Sequence, residues 1–127
     1  MNRASIKLGQ FQQESEEWKR LIAFIADENA FLKTRLAEVV RNDGIEPDFL
    51  NTAEQYQNKF IQKDELLSLV RKDIASVDKL LNNQLYENTS SRELTYRQKH
   101  LRRELKKLVT AFHLLKSQFN NFVTEHL

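Results

Sequence analysis

Apolar residues recur along this chain at alternating steps of four and three, in three separate series. The first runs Phe11, Ser15, Trp18, Ile22, Ile25, Asn29, Leu32, Leu36, Val39, so one small residue and one amide stand in an otherwise apolar line. Ala4 and Leu8 carry the same phase backwards across Gly9, a residue that weakens a helix. The second runs Phe49, Ala53, Tyr56, Phe60, Lys63, Leu67, Val70, Ile74, Val77, Leu81, Gln84. The third runs Leu94, Gln98, Leu101, Leu105, Leu108, Phe112, Leu115, Phe119, Phe122, His126. Steps averaging about 3.5 residues keep one helical face turned toward a neighbour, so each series predicts a long α-helix with a heptad seam.

Punctuation sets the ends. Asn42-Asp43-Gly44 closes the first helix, because Gly44 can adopt the left-handed conformation of a C-terminal cap. Pro47 suits a first helical turn, where its missing N–H costs nothing, and Glu46 and Asp48 suit a helix N-terminus. Residues 86–91 form a polar turn cluster, and Ser90 with Glu93 fits a capping box. The expected helices cover roughly 10–42, 47–87 and 91–125, with 1–9 a candidate disordered segment. At about 1.5 Å per residue each is about 45–60 Å long. Short connections make consecutive helices antiparallel neighbours. The expected fold is therefore all-α: an elongated, antiparallel up-down-up three-helix bundle with coiled-coil-like heptad packing, residues 1–127 forming one domain.

Hairpin geometry adds one oddity. Asn29 and Lys63 are both seam positions, and each lies seventeen residues from Glu46. They are expected to meet in one polar layer that fixes helix alignment.

Composition supports helices and removes other classes. Only 2 Gly and 1 Pro disfavour a turn-rich β fold. Charged residues at 30% and apolar ones at 40% describe amphipathic helix rather than disorder. With no cysteine there is no disulfide, thiolate metal site or thiol nucleophile. The opening MNRASIKLGQF has no apolar secretory region, and no apolar run approaches the ~18–20 residues that span a bilayer. The cytoplasm is the expected compartment.

Charge is uneven although the net value is only +2. Residues 14–54 carry −5, and residues 87–127 carry +4. The most basic stretch is RQKHLRRELKK, Arg97 to Lys107. The third seam passes through it at Leu101 and Leu105, which leaves Lys99, Arg103 and Lys106 outward. Arg97, Arg102 and Glu104 flank the seam. An up-down-up order sets the first and third helices parallel, so these bases can pair with Glu14, Glu16 and Glu17. The alternative reading makes Arg97, Lys99, Arg102, Arg103, Lys106 and Lys107 the phosphate contacts of a nucleic-acid-associated protein. Against it, no aromatics interleave within the stretch for stacking, and no nucleic-acid-binding motif is present.

Catalytic patterns are missing. The three histidines, His100, His113 and His126, lie thirteen residues apart, off one common face, with none in a Glu-x-x-His pair. They read as surface residues, with His126 fraying at the helix end. No glycine-rich loop can cradle phosphate. Asp27-Glu28 and Asp64-Glu65 are sequence neighbours, which on a helix point about 100° apart. No catalytic, metal-binding or cofactor-binding residue is expected, and the chain reads as a non-enzyme.

The first helix is more apolar than one seam needs. With Ile22 at position a and Ile25 at d, Leu21 is a g position and Phe24 and Phe31 are both c. Leu21, Phe24 and Phe31 are the candidate contact face for a second copy or another helical protein. The expected function is a protein–protein interaction or scaffold module that self-associates as a homodimer through its first helix.

Overall fold

The computed structural model describes residues 3–43, 46–87 and 91–126. They form α1 (Arg3–Asp43), α2 (Pro47–Glu87) and α3 (Ser91–Glu125), with no strand among the described residues. The α2 and α3 bounds match those expected from the sequence. α1 begins at Arg3 rather than near residue 10. Gly9 does not stop it: a Cβ there would meet nothing within 4 Å, so no packing is lost and only a propensity cost of about 1 kcal/mol remains. Pro47 takes the first position of α2, and the Glu46 carbonyl accepts the N–H of Leu50 at 3.0 Å. The expected caps at Gly44 and Ser90 lie outside the described residues.

Burial follows the three seams. Every seam residue of α1 from Phe11 to Val39 is buried, including Ser15 at 1% and Asn29 at 0% exposure. In α2 the described seam is buried except at Tyr56 and Lys63, which are half-buried. In α3 it is buried from Leu94 to Phe122, and Val123 joins it. Aromatic rings fill the end where α2 begins and α3 finishes. Phe60 meets Phe119 edge-on at 5.1 Å, Phe49 stacks on Phe122 at 5.2 Å, and Tyr56 touches Phe119 and Phe122 at 5.5 and 5.1 Å. Such ring pairs add about 0.5–1.5 kcal/mol each beyond the area they bury. His126 does not simply fray as expected. Its ring lies 5.0 Å from Phe49 and 4.9 Å from Phe122.

Three polar clamps set direction and register. Ser15 Oγ donates to Asp78 Oδ1, and Lys19 grips the same carboxylate at 2.6 Å. Asn29 Nδ2 donates to Asp64 Oδ1 at 2.8 Å, and Lys33 pairs with that carboxylate too. Gln98 Nε2 donates to Glu14 Oε1 at 3.1 Å, and Arg102 Nε reaches both Glu14 oxygens at 2.9 Å. Each clamp joins a buried seam polar residue and a cation four positions later to one carboxylate on the facing helix. Advancing along α1 from Ser15 to Asn29 moves the partner back along α2 from Asp78 to Asp64, so the two helices run antiparallel. Against α3 the pairs Glu14–Arg102 and Glu28–Lys116 share one separation of 88 residues, so α1 and α3 run parallel.

The layer expected from Asn29 and Lys63 is therefore corrected by one residue. Asn29 bonds Asp64 and the Phe60 carbonyl (2.9 Å), while Lys63 stays half-buried. Asp64 is the better partner because it sits on the flank of α2 that faces α1, and its carboxylate accepts the amide N–H that an ammonium cannot.

This geometry predicts the outcome of a double-mutant cycle. Asp64→Ala removes one acceptor from a buried amide and should destabilise the bundle by about 1–3 kcal/mol in urea titrations. In an Asn29→Leu background the same change should cost clearly less, since no buried donor is left waiting. Equal losses in both backgrounds would mean the layer is not coupled.

Candidate interaction surfaces

The seams use the inward face of each helix, and the flanking positions carry the clamps. What remains outward is best read row by row. On α1, Phe24 and Phe31 are 59% and 68% exposed, a heptad apart on one row. Two large aromatic side chains left wet forgo roughly 1.5–3 kcal/mol each in unrealised burial. Leu21, the third residue of the expected contact face, stands on a different row: it is half-buried and packs against the core. A g position lies on the side facing α3, between the Glu14 and Glu28 contacts, whereas c positions point away.

The basic stretch divides by the same geometry. Arg102 belongs to a clamp. Arg97 donates to Ser76 Oγ at 2.9 Å and lies 3.6 Å from Glu93, so it is tied to α2 and to its own helix. Lys107 lies 3.7 Å from Glu104, with its side chain still 78% exposed. Lys99, Arg103 and Lys106 are exposed and have no acidic partner among the described side chains. Of the three acids expected to balance this stretch, Glu14 pairs with Arg102, Glu16 pairs with Lys19, and Glu17 is exposed. Asp78 and then Glu16 raise the Lys19 pKa, since both hydrogen-bond to its charged form.

Other exposed groups had no signal in the sequence pattern. Tyr96 is 72% exposed, three residues before Lys99 and seven before Arg103, so it stands on the same outward face. Leu66 and Leu69 of α2, with Leu114 of α3, are 40%, 57% and 59% exposed. Between α1 and α2 a shallow groove runs past Ala37, Val40, Leu50 and Ala53, where small side chains let the surface dip. Heptad periodicity marks what is inside and treats all outward rows alike, so it could not single these out.

Among the described residues no three His, Asp or Glu side chains are grouped as a metal site would need, and no helix is long and apolar enough to cross a membrane. Burial, with help from Glu125, raises the Tyr56 pKa above that of a free phenol, but Tyr56 sits in the aromatic end cluster rather than in a polar cleft. Compared with family models, curated proteins and solved structures, the chain matches none.

The division of bases carries its own test. Arg102→Ala loses a charge-assisted contact to Glu14 at a half-exposed site and should lower stability by about 0.5–1 kcal/mol. Arg103→Ala should change it by less than about 0.5 kcal/mol. The difference is readable as a shift in thermal midpoint. A larger loss for Arg103→Ala would mean the outward row is structural.

Proposed function

We propose that this chain is a non-enzymatic protein–protein interaction module, cytoplasmic and coiled-coil-like, that self-associates through the outward face of α1. The observation that supports it most is the exposed pair Phe24 and Phe31, at 59% and 68%, on a helix whose inner seam is already fully used. A helix with a second apolar row offers a ready face for another helix. Burying these rings against a second copy supplies the driving force, and the partner comes at no cost in specificity because a two-fold contact is built from one surface used twice.

Light scattering after gel filtration tests this directly. The chain should elute as a dimer at micromolar concentration. Phe24→Glu with Phe31→Glu should give a monomer with unchanged helix content. A wild-type monomer would end the self-association reading.

A second reading rests on one observation: Lys99, Arg103 and Lys106 form an outward row, without an acidic partner among the described residues, beside the exposed ring of Tyr96. Such a row neutralises phosphates, and a neighbouring aromatic can stack on a base. Under this reading the protein should be retained on heparin and released by modest salt. Converting Lys99, Arg103 and Lys106 to Glu should abolish retention, and Tyr96→Ala should weaken binding to a single-stranded oligonucleotide. Retention unchanged by the triple substitution would remove it.

A further inference from the structure

The outward stripe of α1 carries more than two phenylalanines. Alternating rows place Glu17 and Arg20 before Phe24, and Glu38 and Arg41 after Phe31, all exposed. With Asp27 and Thr34 filling the row between them, the steps again alternate three and four, so the stripe is a second seam lying opposite the buried one. Its ends each hold one acid and one base, in the same order.

We propose that α1 pairs with α1 of a second copy in antiparallel orientation, with Glu17 level with Arg41 of the second copy and Arg20 level with its Glu38. This deepens the self-association reading and rests on it. The charge order decides the direction. Parallel, in-register pairing sets Glu17 against Glu17 and Arg20 against Arg20, which is repulsive at every charged position. Antiparallel pairing in this register makes four attractive pairs, two at each end. The two-fold axis then falls between the phenylalanines. Phe24 and Phe31 of one copy interleave with Phe31 and Phe24 of the other at steps of three, four and three residues. At a helical rise of about 1.5 Å per residue those rings lie about 4.5–6 Å apart along the axis, within reach of ring contact.

The contact is available as the bundle stands. Glu17, Arg20 and Arg41 have no ion-pair partner among the described residues. Among the described residues Glu38 pairs with Arg35, three residues away at 3.5 Å, with both side chains well exposed, and such a pair is readily exchanged. Like-charged approaches remain on the diagonals, Glu17 with Glu38 of the second copy and Arg20 with its Arg41, each three residues apart along the axis, and Asp27 with its copy four residues apart; they limit affinity, while the level pairs set direction.

Charge exchange tests direction separately from association. One variant carries Glu17→Arg and Arg20→Glu, and another carries Glu38→Arg and Arg41→Glu. Sedimentation equilibrium at low salt gives the dimer constants, with circular dichroism to check the fold. Each variant alone places like charges at both ends and should dimerise on the order of ten- to a hundredfold more weakly than wild type. Mixed one to one, they complement at all four pairs and should recover wild-type affinity as a heterodimer. If wild type dimerises and either variant keeps the wild-type constant, or if the mixture fails to recover, the antiparallel register is wrong while self-association stands. A monomeric wild type overturns both.

Discussion

Among the described residues three polar seam positions, Ser15, Asn29 and Gln98, are withdrawn from solvent almost completely. A buried amide or hydroxyl without a partner costs about 1–3 kcal/mol, so these helices are stable only where a partner arrives. Here each partner is a carboxylate on a neighbouring helix, held from its other side by a cation four residues along. The carboxylates stay at the rim, with Asp78, Asp64 and Glu14 29%, 41% and 26% exposed. They keep part of their hydration, so the desolvation cost that burdens a fully buried ion pair is largely avoided. Sliding one helix by a heptad would leave apolar seams matched but would part the clamps that helix makes. Direction and register are thus set by polar groups, while the aromatic and aliphatic core supplies most of the cohesion. Within each amide the clamp serves the N–H side; Asn29 Oδ1 and Gln98 Oε1 are buried without a hydrogen-bond partner among the described residues.

The same assignment decides which surfaces are left. α1 commits Glu14 and Glu28 to α3, and its Lys19 and Lys33 to α2. The charges that remain outward on α1 are mixed in sign, whereas Lys99, Arg103 and Lys106 on α3 are of one sign. A mixed stripe around two phenylalanines suits a copy of itself; a row of one sign suits a polyanion. α1 packs more closely on α2 than on α3, and ion pairs between long side chains, Glu14 with Arg102 and Glu28 with Lys116, bridge the thinner α1–α3 contact.

Much of this was legible in the order of residues. Seam spacing named the core from Phe11 to Phe122 almost residue by residue, because a helix has a fixed pitch and any apolar series at that pitch has one face. Pro47 and the turn cluster after Tyr86 placed the helix ends for the same local reason. The seam also separated Leu101 and Leu105 from the bases around them, and it marked Phe24 and Phe31 as outward.

What the sequence could not fix were relations between helices. Hairpin counting put Asn29 opposite Lys63, one residue from the Asp64 it meets, because the exact path of the chain between α1 and α2 sets the register. Position g placed Leu21 beside the seam, and packing leaves it half-buried against the core. Gly9 looked like a break until its surroundings showed nothing to lose. The seam split the basic stretch into outward and flanking bases, but the partners came from packing: of Glu14, Glu16 and Glu17 it is Glu14 that meets Arg102, and Arg97 turns to Ser76 of α2. A sequence determines each helix, its length and its inward face through local pitch and propensity. Which side chains meet across helices is decided by tertiary structure, since those distances depend on how whole helices pack and not on spacing along any one of them.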